Sequence, residues 1–457
     1  MSARSPGSLV SLPAVLVGLA LLVGCAATGT SSPTCAPAKP AATTADGGSL
    51  VIVGRIVTMD DPPIAEALLI DGGTVTAVGS RDEVLAVACG DAPVVDIADS
   101  VAYPGFIDAH AHWIGDRAFY GVDSAEAAMD AALRRGWTSI SEQWVDQERL
   151  DELTALAADD ALPLRVDAYL ALNAPAPSGE HFGDWYADRE PGLVGDRLRV
   201  QGLKITLDNG WGTVFHWEAG DLTETVGRAN DAGWQVSVHT VSTEAHDMVL
   251  DAFEMAIGAT GPNPLHHRIE HAIQVTDEQL ARLVAMDLAT VIHLDGAAAD
   301  WVLEAEYLDH FDNPGEEVAW LARWRDFVDA GLHVAAATDT PWIFPDFMLT
   351  DDIGRPVDQI AGGMDGRGRA NPEIPEWVRD QLLTAQQGLR SVTLDAAYAL
   401  GDGSRGHLAP GTLGDVTILS GEVSEATPDE IRAMTVIGTI VGGRVAYCSD
   451  PAVCGEG

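Results

Sequence analysis

The run Pro104-Gly105-Phe106-Ile107-Asp108-Ala109-His110-Ala111-His112 decides how this chain reads. An apolar strand leaves a Pro-Gly turn and ends in two histidines spaced i, i+2. Side chains alternate along a strand, so residues two apart project from the same side. Two imidazoles side by side at a strand end make the start of a metal site, because neutral imidazole is a preferred ligand for zinc and similar ions.

Downstream of this run the chain alternates strands with helical stretches. Candidate strands end near His110, Ile140, Tyr169, Thr206, His239, His271, His293 and Thr338. Amphipathic stretches lie between them, such as Asp151 to Asp160, Glu244 to Ala259 and Thr276 to Met286. This pattern predicts an α/β fold, a (β/α)8 barrel over residues 104–404, whose chemistry sits at the C-terminal strand ends. The Gly- and Pro-rich segment from Asp351 to Glu376 reads as a loop over the barrel mouth. Both flanks are β-rich. Gly72-Gly73 separates Ala67-Leu68-Leu69-Ile70 from Val75-Thr76-Ala77-Val78, and Gly442-Gly443 precedes Arg444-Val445-Ala446-Tyr447, both hairpin signals. Residues 48–103 and 405–457 are therefore expected to build one small β-sandwich from the two ends.

The 457 residues suit one barrel-sized domain plus a satellite, and an apolar share of 47% supplies a large core. A formal net charge of -43 argues against nucleic-acid binding, which needs basic surface. Residues 1–24 read as a signal peptide: Arg4 precedes the apolar run Leu12 to Val23, shorter than the roughly 20 residues a membrane span needs. Leu22-Val23-Gly24-Cys25 resembles the lipobox of bacterial lipoproteins. Export and a lipid anchor at Cys25 on the extracytoplasmic side of the membrane are expected, followed by a flexible tether to residue 47. The remaining Cys35, Cys89, Cys448 and Cys454 suggest two disulfides, with three pairings open.

Candidate ligands gather at five strand ends: His110 and His112, Lys204, His239, His271 in Arg268-Ile269-Glu270-His271, and Asp339 in Ala337-Thr338-Asp339-Thr340-Pro341. Lysine usage singles out one of them. The chain has only Lys39, in the tether, and Lys204; arginine does every other basic job. Arginine cannot lose its proton in a protein, whereas a desolvated lysine can. A neutral amine can take up carbon dioxide as a carbamate, which then behaves as a bridging carboxylate.

Residues 48–447 resemble the metal-dependent amidohydrolase superfamily, and within it the family 3 branch that includes N-substituted formamide deformylases. The resemblance rests on Pro104 to His112, on Lys204 with Asp208 following, and on Val238-His239. It continues through Arg268 to His271, Thr338 to Pro341 and Gly406 to Asp415. It implies a binuclear site with two divalent ions, zinc by expectation. His110, His112 and Asp339 would hold one ion, His239 and His271 the other, and N6-carboxylated Lys204 would lie between them. Asp339 would act as the catalytic proton carrier. Glu270 is a candidate to orient a ligand histidine.

The implied reaction is hydrolysis of an amide or other non-peptide C–N bond in a small molecule. The same site acting on an ester, lactone or phosphotriester, or a surface lipoprotein that binds without turnover, remain alternatives. Family members of this branch usually carry a long insertion after the first histidine pair. Here only a short stretch separates His112 from Gly136, and His293-Leu294-Asp295 stands where the family usually has Gln-Pro. Trp113, Glu142, Trp211, His216, His293 and Trp342 follow predicted strand ends and are candidates to line the pocket. Self-association is left open.

Overall fold

The computed structural model describes residues 48–88, 92–175, 177–295, 317–342, 354–367, 374 and 376–454. The expected signal segment, Cys25, the tether, Cys35 and Cys89 lie outside the described residues. No helix among the described residues is long and apolar enough to cross a membrane.

Among the described residues, sixteen strands form two sheets. The N-terminal part contributes β1 (Ser49–Val57), β2 (Ile64–Asp71), β3 (Thr74–Gly79) and β4 (Val94–Pro104). The barrel strands follow: β5 (Phe106–Ala111), β6 (Trp137–Val145), β7 (Arg165–Ala171), β8 (Gly192–Val194), β9 (Leu198–Thr206) and β10 (Gln235–Thr240). Next come β11 (Arg268–His271), β12 (Ala289–Ile292) and β13 (Val334–Ala336). The chain ends with β14 (Val416–Leu419), β15 (Val436–Val441) and β16 (Arg444–Cys448).

The terminal strands pair in the order β16-β15-β14-β4-β1-β2-β3, so both chain ends build one sheet. Each Gly-Gly pair is a hairpin turn, with Asp71 opposite Thr74 and Val441 opposite Arg444. Both glycines of each pair have positive φ, which glycine adopts without the Cβ clash other residues suffer.

The central strands run in parallel order β5-β6-β7-β9-β10-β11-β12-β13, with β8 added antiparallel to β9. Two backbone bonds join the first and last strands at their C-terminal ends: Asp339 N–H to His110 O at 2.9 Å and His112 N–H to Thr340 O at 2.8 Å. The ring therefore closes beside the first histidine pair. Residues 392–400 bond to the strand starts: Ile107 N–H donates to Val392 O (2.9 Å), Gln235 Nε2 to Ala399 O (2.8 Å) and Gln201 Nε2 to Leu400 O (2.8 Å). The eight-strand α/β barrel and the separate sheet of terminal strands match the expected architecture.

One element differs from its expectation. Within the Gly- and Pro-rich segment, Pro356–Asp365 is a helix with eight buried residues, not a loop. Pro356 opens it, where its missing N–H costs nothing, and the Asp358 carboxylate accepts from the Arg355 guanidinium at 3.1 and 2.7 Å over the first turn. Its glycines serve packing. A Cβ on Gly362 would lie 2.0 Å from the Leu294 carbonyl oxygen, so only glycine lets the helix approach the end of β12.

Candidate metal centre

Every sequence-predicted ligand among the histidines, the lysine and Asp339 reaches the C-terminal end of the barrel. The ligand atoms of His110, His271 and Asp339 lie within 4.8 Å of one another. Asp339 Oδ1 stands 3.3 Å from Nε2 of both His110 and His112. His271 links the two halves of the expected site, its ring centroid 4.9 Å from His110 and 4.3 Å from His239. The tightest convergence thus crosses the division that the resemblance implies between the two ions.

Backbone conformation helps to aim these groups. His271 (φ 71°) and Asp339 (φ 49°) both adopt the left-handed region, which is sterically costly for residues with a Cβ. A packed surround holds this strain: Asp108 accepts from Thr338 N–H (2.9 Å), Thr338 Oγ1 (2.6 Å) and Trp113 Nε1 (2.9 Å).

Lys204 sits in β9 opposite Ser237 of β10 and is 3% exposed. Among the described residues, neither its Nζ nor Nε2 of His239, both buried, has a hydrogen-bond partner. Buried polar atoms are nearly always partnered, and leaving one orphaned costs roughly 1–3 kcal/mol. Two orphans facing the same ligand cluster fit a site built for metal ions and for a modified lysine. Burial pulls the Lys204 amine down to about 8 and the His239 imidazole down to about 3. Both shifts favour the neutral forms that ligand chemistry requires.

Behind the ligands lies a buried polar layer. Glu270 Oε2 bonds His110 Nδ1 at 2.5 Å, while the Arg268 guanidinium grips both Glu270 oxygens at 2.5 and 3.0 Å. Ser237 Oγ lies 2.8 Å from Glu270 Oε1, and Arg268 also donates to Tyr169 Oη (3.1 Å) and Ala109 O (2.5 Å). Burial alone would raise the Glu270 carboxyl, but Arg268 and His110 hold it well below the usual range. Glu270 therefore stays an anion and keeps the His110 proton on Nδ1, leaving Nε2 free to ligate. Asp208 accepts from Val241 N–H (3.1 Å), Ser242 N–H (3.0 Å) and Ser242 Oγ (3.0 Å), fixing the turn that follows His239.

The six pocket candidates separate. His293 bonds His271 directly, Nε2 to Nδ1 at 2.7 Å. Trp342 is 42% exposed, with its ring 6.4 Å from His112 and its Nε1 donating to Asp116 at 2.8 Å. Glu142 is buried and accepts from the Ile114 (3.1 Å) and Gly115 (2.7 Å) N–H groups, shaping the turn after His112. Trp113 lies wholly inside the barrel core. Trp211 packs on Val241, Ile273 and Leu321. His216 is half-buried, with its carbonyl bonded to His181. Arg268 belongs to the Arg268–His271 motif but takes no role from the sequence, and Ser237 and Tyr169 have no local signal that marks them for the site.

Comparison with known proteins agrees with this geometry. Residues 119–447 match the sequence model of the Amidohydrolase family. The chain is 24% identical over 234 residues to the putative amidohydrolase YtcJ of Bacillus subtilis (strain 168), a match over 49% of this chain and 40% of that protein. It is 26% identical over 223 residues to the N-substituted formamide deformylase of Arthrobacter pascens, covering 48% of this chain and 38% of that one. The match thus spans well under half of either relative. Among solved structures, an uncharacterized metal-dependent hydrolase from Pyrococcus horikoshii OT3 superposes with a TM-score of 0.68 at 18% identity, covering 84% of this chain and 99% of its own. Atrazine chlorohydrolase TrzN from Arthrobacter aurescens TC1, complexed with zinc, gives 0.60 at 16% identity over 87% and 94%. Because the family match takes in most of the chain, from the helices after His112 to the last strand of the terminal sheet, the chain belongs to the Amidohydrolase family.

Proposed function

We propose that this chain is a metal-dependent hydrolase that cleaves an amide or other non-peptide C–N bond of a small molecule. The observation that carries the reading is the convergence of His110, His271 and Asp339 beside the partnerless Lys204 Nζ and His239 Nε2. His110, His112, Lys204, His239, His271 and Asp339 would hold two divalent ions, with zinc in a structural neighbour as support for that metal. Bound there, the ions would supply Lewis acidity that activates water and polarises the substrate carbonyl.

The protein's own groups do the rest. Lys204, neutral once its proton is lost, forms a carbamate: Nζ bonds to the carbon of carbon dioxide and releases a proton, leaving an anionic ligand between the histidines. Asp339 accepts the proton of the attacking water and delivers it to the departing nitrogen. Glu270 keeps the His110 ring fixed while this happens. Similarity to a formamide deformylase supports an amide substrate.

Metal analysis and a turnover screen test the reading. The protein should bind about two divalent ions per chain and hydrolyse some among N-acyl amino acids, formamides and cyclic amides faster than matched esters and lactones. Lys204→Ala should lose more than about 100-fold in kcat/KM, beyond the roughly 10–100-fold that a group behind the ligands costs. Full activity in that variant overturns the binuclear site, and faster turnover of the matched esters overturns the amide assignment.

We read the chain further as an exported lipoprotein held at the membrane through Cys25. The four cysteines beyond Cys25, enough for two disulfides, support an oxidising compartment. Cys25→Ala should move the protein from the membrane fraction to the soluble one.

A further inference from the structure

We propose that His293 is a positioning residue that locks His271 into the tautomer protonated on Nδ1, with Nε2 left as the nitrogen that can ligate a metal ion. The inference rests on the reading of His271 as a ligand and goes beyond it, since His293 stands outside the proposed ligand set.

The direction of the lock follows from the hydrogen bonds. His293 Nδ1 lies 3.0 Å from the Ala337 carbonyl oxygen, which can only accept. Nδ1 of His293 therefore carries a proton, and in the neutral ring Nε2 is a bare acceptor. That acceptor is 2.7 Å from His271 Nδ1, so His271 must donate from Nδ1. A histidine that ligates through one ring nitrogen must be neutral, so His271 holds a single proton. Its proton being on Nδ1, its Nε2 is a lone pair. The chain Ala337 carbonyl, His293, His271 thus runs one way.

The surroundings make the lock rigid. His293 is 4% exposed and Ala337 is fully buried. The next residue, Leu294, donates its N–H to Gln359 Oε1 at 2.8 Å, tying the end of β12 to the helix Pro356–Asp365. Glu270 does the same work for His110 with a charged acceptor. One half of the cluster is thus oriented by an anion and the other by a neutral ring, which adds no negative charge beside Asp339. Glutamine has both halves of what the position needs: its amide N–H₂ can donate to Ala337 and its oxygen can accept from His271.

Zinc affinity, measured by competition with a chromogenic chelator, separates the outcomes. Wild type, His271→Ala, His293→Leu and His293→Gln are compared, with thermal melting of the metal-free proteins as a folding check. His293→Leu should weaken zinc binding at one site by about 10–100-fold, and His293→Gln should restore it to within a few-fold of wild type. Equal affinity in His293→Leu and wild type overturns the lock, and so does equal weakening in the Leu and Gln variants. If wild type binds no zinc, or His271→Ala binds as wild type does, the underlying site reading fails instead. A measurement independent of folding in the variants is the nitrogen-15 spectrum of histidine-labelled, metal-free wild type. There His271 should be protonated on Nδ1; protonation on Nε2 overturns the inference.

Discussion

Glu270 stands between a guanidinium and an imidazole, and its two oxygens accept from Arg268, His110 and Ser237. Glutamine at that position keeps the shape and removes both the charge and one acceptor. Its N–H₂ would face either His110 Nδ1–H or the Arg268 fork, donor against donor, and Arg268 would be left as a buried unpaired cation. Breaking a buried pair in this way costs about 3–5 kcal/mol. Glu270→Gln should therefore lower the free energy of unfolding by that amount, and should also release the His110 ring and weaken metal binding. A variant that melts like wild type would show that the Arg268 charge is met elsewhere. This residue marks the boundary of what could be read from the chain. The ligands themselves are legible because histidine, lysine and aspartate at strand ends are rare enough to notice as a set. Glu270 precedes a ligand histidine in the chain but orients a different one, 160 residues away across the barrel. Only barrel closure brings those two together, and no local spacing encodes it. His293 was legible as a polar residue near the mouth, not as the partner of His271, for the same reason.

At the scale of elements, hydrophobic runs and Gly-Gly turns placed most strands near their observed positions, since period-two alternation and hairpin turns are local signals. The helix Pro356–Asp365 was hidden because its glycines count as loop formers by composition. In place, they are contact surfaces. Gly362 and Gly227 give a matched comparison, as both lie inside helices and neither has a positive φ. Alanine is the better helix former by about 1 kcal/mol at either position. A Cβ at Gly227 meets nothing within 4 Å, whereas one at Gly362 would lie 2.0 Å from Leu294 O and 2.6 Å from Asp295 Cα. Gly227→Ala should leave stability unchanged or raise it slightly. Gly362→Ala should cost roughly 1–3 kcal/mol through overpacking against main chain that cannot move aside cheaply. Urea denaturation of the two variants side by side measures the difference, and equal midpoints would mean that the helix can shift without loss. A shift of that helix would also disturb Leu294 and thus His293, so zinc affinity should fall in Gly362→Ala and not in Gly227→Ala.

Over the whole molecule, the terminal sheet and the barrel meet at Asp415. Its carboxylate accepts from Arg165 Nε (2.6 Å) and Nη2 (2.9 Å) at the start of β7, and from Gly442 N–H (2.8 Å) in the β15–β16 turn. Its carbonyl accepts from Gly105 N–H (2.8 Å), where β4 hands over to β5. A second tie is Arg405, just before β14, which bonds both oxygens of Asp167 in β7 at 2.7 and 2.9 Å. Both pairs are largely buried, so solvent screening does little to weaken them. The geometry makes the sheet and the barrel one cooperative unit: the strand run that presents His110 and His112 begins at the residue Asp415 holds. Asp415→Ala leaves Arg165 without its carboxylate and frees one backbone donor, the Gly442 N–H, an expected loss of about 3–5 kcal/mol. Because the same surface is exposed when the same unit unfolds, the urea midpoint should drop with the slope unchanged and the transition still single. Two separate transitions in wild type, or a variant that loses only the terminal sheet while the barrel keeps its metal affinity, would show that the two sheets are independent and that Asp415 merely tethers them.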